Sequence, residues 1–190
     1  YTEAIEFIEE NEKYYAGRTM PTETKIDPKT GKLKSIKLDK KVLEKRQNAY
    51  ARLLNLKAYA YRHKGDFAKA DETFLKGADW IDDNLGKADI QYVRNILWQG
   101  QMLEENGLDP KVVRKTYEDA LSALKRNHNE SHFLALEIYE SLLNSYLYNN
   151  EMARFKNLNS EYERVIKKYF DKNSINYVKL DAMNFRARLD

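Results

Sequence analysis

His128 and His132 stand four residues apart, a spacing that sets two imidazoles on one face of a helix. A metal site is the chemistry such a pair would offer. The residues between them lack the adjacent Glu of the zinc-protease pattern, and no third ligand stands nearby. The pair therefore reads as surface histidines near a helix start, as His63 does beside a turn, and neither metal nor cofactor is expected. Thr30-Gly31-Lys32 invites a phosphate-cradle reading. The upstream glycine and the Ser/Thr that follows the Lys of a P-loop are missing, which excludes it. Asn129-Glu130-Ser131 matches a glycosylation acceptor, a tripeptide that occurs often by chance. No Ser/His/Asp set, paired buried carboxylates or glycine-rich loop is defensible. The chain is expected to be non-catalytic.

What remains is charge. The net charge of +3 does not by itself call for nucleic acid, but it is unevenly spread. Residues 25–46 carry a net +6, with Lys34, Lys37 and Lys41 among them, and residues 1–16 carry a net −4. Either the acidic and basic segments lie together and neutralise, or the basic one is a contact surface for an acidic partner.

The elements that must position these groups are helices. At 190 residues the chain is long enough to bury a real core. Charged residues make up 33% and Gly and Pro together number ten, which favours amphipathic helices over a sheet protein. Tyr is frequent, 14 of 190, and suits half-buried positions that join a greasy ring to a polar tip. With no Cys there is no disulfide framework, and no apolar run approaches the length of a membrane span. A chain opening on Tyr1 reads as a trimmed fragment. Absence of Cys and of a visible signal segment weakly favours the cytoplasm.

Apolar periodicity places helices over 2–15, 39–64, 66–84, 88–106, 111–126, 131–148 and 151–170, with a last one after Ser174. Thr2, Asp39, Asp109 and Ser174 are the expected caps, and Gly17, Gly65 and Gly107 the expected stops. Residues 18–38 hold Pro21 and Pro28 and the turn sequence Asp27-Pro28-Lys29-Thr30-Gly31. Its flanks, 24–26 and 33–36, suit a small hairpin, and a flexible loop is the other reading.

The best-patterned stretch is 53–84. Leu54, Ala58 and Tyr61 precede a turn at Gly65-Asp66-Phe67, and Ala70 and Phe74 follow it. These offsets resemble the tetratricopeptide repeat. Ala58 and Ala70 are small where two helices approach closely, while Lys57 and Asp82 stand where that pattern has Leu and Pro. Phe74, Tyr117 and Tyr162 recur 43 and 45 residues apart, longer than the standard repeat of about 34. The resemblance implies an all-α fold: antiparallel helix pairs stacked as a TPR-like right-handed α-solenoid, with a loop or hairpin insertion near 18–38. One domain would span 1–190, as a helix plus basic loop or hairpin (1–38), three helix pairs (39–171) and a C-terminal helix (172–190). It also implies a concave groove faced by Arg52, Asn55, Tyr59 and Arg62, with Arg94 comparably placed on the next first helix. Guanidiniums, an amide and a phenol there suit a carboxylate-bearing ligand.

Asn55 to Gly65 with Ala70, and Val93-Arg94 with Gly100, are similar to the interferon-induced proteins with tetratricopeptide repeats, over about 50 residues. In that family a Trp directly precedes the Gly, whereas Trp98 is one residue early. The likeness implies binding of single-stranded RNA ends, with residues 25–46, Arg62 and Arg94 as contacts. Long helical repeats also resemble the peptide-pheromone receptors of Gram-positive bacteria, which implies peptide sensing. The leading expectation is a non-catalytic interaction module that binds a peptide or protein partner in its groove. RNA binding and peptide sensing are the alternatives.

Overall fold

The computed structural model describes residues 1–126 and 131–189, and the chain divides into two compact units, residues 1–87 and 88–190. The fold is all-α apart from one short hairpin. The first unit holds α1 (Thr2–Ala16), β1 (Thr22–Ile26), β2 (Leu33–Lys37), α2 (Lys40–Lys64) and α3 (Phe67–Leu85). The second holds α4 (Ile90–Glu105), α5 (Pro110–Arg126), α6 (Phe133–Tyr148), α7 (Met152–Tyr169) and α8 (Ile175–Leu189).

In the first unit α2 begins where the Asp39 carboxylate accepts from the Lys41 N–H, occupying one of the amides a helix start leaves without a partner. It ends at Gly65, whose φ of 81° only glycine adopts without strain, and whose N–H returns to Arg62 and Tyr61 carbonyls. Asp66 then caps α3 by accepting from the Lys69 N–H. The two helices run back along each other with Ala58, Ala70 and Phe74 at 0% exposure, as close approach at small residues requires.

The acidic α1 lies on α2, burying Ile5 and Ile8 against Ala60, Leu53 and Tyr61. This explains the Lys at position 57: its Nζ donates to Glu12 at 2.7 Å and lies 3.4 Å from Glu9, while the Tyr61 hydroxyl donates to Glu9 at 3.1 Å. Burial pulls the Lys57 ammonium pKa down, but the hydrogen bond and charge of Glu12, followed by Glu9, outweigh that and hold it above the usual range. Two of the α1 carboxylates are thus spent on Lys57 and not on the basic segment. Thr2 is the first residue of α1 and not its cap; no side chain caps that end.

Residues 18–38 form the hairpin, not a loop. Asp27 holds the turn by accepting from the Lys29 and Thr30 N–H groups. The register pairs Thr22 with Lys37, Thr24 with Ser35 and Ile26 with Leu33, and it sets Lys25 directly opposite Lys34.

The core of the second unit is built on α6, which is apolar on most sides because it packs on α5 and α7 and touches α4. Leu134, Ile138, Tyr139, Leu142 and Leu143 are each buried to within 1%. The flanking helices bury Tyr117, Ala120 and Leu124 on α5 and Phe155, Tyr162 and Ile166 on α7, with the Tyr162 ring 5.8 Å from that of Tyr139. Helix α4 begins at Ile90 under an Asp89 cap, two residues later than periodicity placed it. His132 caps α6, its Nδ1 accepting the Leu134 N–H at 3.2 Å, and the helix begins at Phe133, two residues later than periodicity placed it. Ser174 precedes α8 as expected, but its hydroxyl is buried without a hydrogen-bond partner among the described residues, so it does not cap.

The frequent tyrosines serve one recurring device. Tyr61 donates to Glu9, Tyr117 to Glu104, Tyr146 to Glu118, Tyr139 to Glu161 and Tyr162 to Glu140. Each bond joins two helices consecutive in the chain, and the Tyr117, Tyr139 and Tyr162 side chains are wholly buried, so their hydroxyls need these partners.

Candidate functional site

Arg52, Asn55, Tyr59 and Arg62 fall at intervals of three, four and three residues, one line along α2. The structure treats them unequally. Arg52 is exposed and Tyr59 half-buried, whereas Asn55 is 1% and Arg62 9% exposed. The Arg62 guanidinium lies 5.8 Å from the Tyr59 ring centroid, and both Asn55 and Arg62 are engaged with neighbours. A guanidinium is always charged, so one this deep has to be held by its surroundings. The reachable part of this line is Arg52, Tyr59 and the adjoining His63, whose ring meets Tyr59 edge-on at 4.2 Å and stacks on Tyr1 at 5.4 Å.

Arg94 stands in the second unit, half-buried on α4. It donates to Gln91 at 3.1 Å and lies 5.7 Å over the Trp98 ring. Its charge reaches two groups of α6. Burial, then Arg94, push the His132 imidazole pKa down. Burial, then the charge of Glu140, push the Glu137 carboxyl up, with Lys179 and Arg94 opposing. Glu140 accepts from the Tyr162 hydroxyl at 2.9 Å and from Lys179 of α8 at 2.9 and 3.0 Å. Asn144, one turn further along α6, accepts from Arg186 of α8 at 3.3 Å. Alternate helices, α4, α6 and α8, thus supply a row of six groups of mixed sign: Arg94, Glu137, Glu140, Asn144, Lys179 and Arg186.

Of these six, sequence reasoning found Arg94 alone. A signal for the others was present: Glu137, Glu140 and Asn144 interrupt an otherwise apolar helix at spacings of three and four, which marks its one solvent-facing line. Asn144 also lines a cavity of about 490 Å³, with Glu104, Leu108, Pro110, Val113 and Tyr148 among its walls. A volume of that order suits a side chain or small ligand.

The basic segment does not converge. Successive strand residues face opposite ways, so Lys34 and Lys37 lie on opposite faces of the hairpin, and Lys41 is in the first turn of α2. All three are exposed. The nearby carboxylates are committed elsewhere: Glu23 to Arg46 at 3.3 Å, Glu44 to Lys40, and Asp27 and Asp39 to backbone amides.

Among the described residues no three His, Asp or Glu side chains gather in metal-binding geometry, and no helix is long and apolar enough to cross a membrane. His128, Asn129 and Glu130 lie outside the described residues. No protein-family model matches the chain and no curated protein matches it.

Proposed function

We propose that this chain is a non-catalytic helical-repeat module of the tetratricopeptide kind, and that it binds a peptide or protein segment along the row on α4, α6 and α8. The observation that carries this reading is the alternation: every second helix of the unit presents its polar line to one surface. The intervening α5 and α7 are tied to that set by the tyrosine–glutamate bonds. In a stack of helix pairs, alternate helices share a face, and that face is where such arrays take their ligands. A row with both signs suits an extended peptide, whose backbone and side chains offer both. The cavity at Asn144 would take one side chain as an anchor. On this reading α4–α5 and α6–α7 are two long repeats of the second unit, with α8 as a further first helix, and α2–α3 is a pair of the same kind within the first unit.

A second reading, binding of single-stranded RNA, draws on the exposed lysines of the hairpin, which have few carboxylates to neutralise them. The burial of Arg62 removes one of its expected contacts. The two readings separate in one experiment. The purified chain is titrated against a random peptide array and against a short single-stranded oligoribonucleotide, over a range of salt. Peptide binding should weaken about tenfold, ~1.4 kcal/mol, in Lys179→Glu and be indifferent to a Lys34→Glu/Lys37→Glu pair. Oligoribonucleotide binding that falls steeply with salt and is lost in the hairpin pair would displace the peptide reading. Failure of any peptide to bind would refute it.

A further inference from the structure

The first and last helices each carry large apolar side chains exposed on the side away from the core. On α8, Ile175, Val178, Ala182 and Phe185 follow at intervals of three, four and three residues. Ile175, Val178 and Phe185 are 65%, 62% and 62% exposed, while Leu180 and Met183, on the opposite side, are buried. On α1, Phe7 and Tyr14 stand two turns apart at 65% and 52% exposure, on the side away from the buried Ile5 and Ile8. Helical lines of this kind are the seams along which helices pack. The two lines differ in charge. Beside Phe7 and Tyr14 run Glu3, Glu6 and Glu10, all exposed and distinct from the two carboxylates spent on Lys57, against the exposed Lys13 and Arg18, which leaves this face net negative. Beside the α8 line run Lys179 and Arg186, with Arg188 and the one carboxylate Asp181 on its other flank, all exposed, which leaves this face net positive.

We propose that these faces are the two halves of one joint, in which α1 of one copy packs on α8 of the next. Charge decides between this and the self-paired arrangements. Packing α8 on α8 sets Lys179 and Arg186 against their own kind, and α1 on α1 does the same to three carboxylates. Packing α1 on α8 brings acid to base along an apolar seam, and the gap at Ala182 lies between Val178 and Phe185, where the ring of Phe7 can enter. The Tyr14 ring is held ready under the Arg18 guanidinium, 3.7 Å from its centroid. Lys179 keeps 47% of its side chain exposed while bound to Glu140, so it can meet a second carboxylate. The joined surfaces are different, so the contact is heterologous and each copy binds two neighbours. A contact of one helix on one helix is small, which makes the assembly concentration-dependent, and its exposed flanking charges make it weaker in high salt.

Sedimentation velocity across a concentration series tests this on the full chain, with Phe7→Glu and Phe185→Glu as variants. Both side chains are exposed, so unchanged circular dichroism is expected. The wild type should grow in mass with concentration, and each variant alone should stay monomeric. An equimolar mixture of the two variants should give a species of twice the monomer mass and nothing longer, because each supplies the face the other lacks. A wild type that stays monomeric, a Phe7→Glu variant that still dimerises through α8, or a mixture that stays monomeric overturns the proposal.

Discussion

Gly100 shows how much one residue can carry. A Cβ built there would stand 2.6 Å and 2.8 Å from ring carbons of Tyr117. That ring is at 0% exposure and its hydroxyl is held by Glu104, so it has nowhere to retreat. Gly100→Ala should therefore lose stability by about 1–3 kcal/mol as the packing of α4 on α5 is forced apart, despite its gain in helix propensity. Chemical denaturation read by circular dichroism measures this, and an unchanged midpoint would show that α4 and α5 are looser than they stand here. Tyr117 and Gly100 are both recognisable as inward residues in the sequence. That each is the other's partner is not, because nothing in the spacing says which side of the facing helix a ring will meet.

Among the elements, α6 has an unusual start. Its cap is His132, which serves only while Nδ1 is unprotonated and able to accept the Leu134 N–H. Burial and then Arg94 depress its pKa, so the unfolded chain binds this proton more readily than the folded one. The stability from this group is present above the ordinary histidine range and lost as pH falls through the lower folded value. The wild type should show that loss on acidification from neutral pH. In His132→Asn, which caps without titrating, the loss should be absent while neutral-pH stability is kept to within about 1 kcal/mol. Thermal melts of both proteins across mildly acidic pH check it, and parallel pH profiles would dismiss the cap as the cause. Sequence reasoning saw His132 only as a surface group paired with His128. Asp39 and Asp109 are conventional caps and were legible. A capping imidazole is not, since its role depends on a tautomer and on the charge of a residue 38 positions away.

On the scale of the molecule, the hairpin stands apart from the helical body. Of its ten strand residues all but Glu23 are exposed, and Glu23 contributes one ion pair, to Arg46. Replacing residues 22–37 by a short Gly/Ser linker should change unfolding free energy by only about 1 kcal/mol, because little apolar area returns to water. Differential scanning calorimetry would register a larger loss if the hairpin braced the helices. The sequence by itself determined the all-α class, the positions of the turns among the described residues, and the small residues at Ala58 and Ala70, and it left residues 18–38 open between a hairpin and a loop. These follow from interactions within a few residues: apolar period, capping carboxylates, and glycine where φ is positive. Only the tertiary structure decided which polar groups are reachable. Burial of Asn55 and Arg62, capture of Lys57 by α1, divergence of Lys34 from Lys37, and the row from Arg94 to Arg186 all depend on which helix lies alongside which. Exposure is a property of neighbours, and the local code of a helix does not name them.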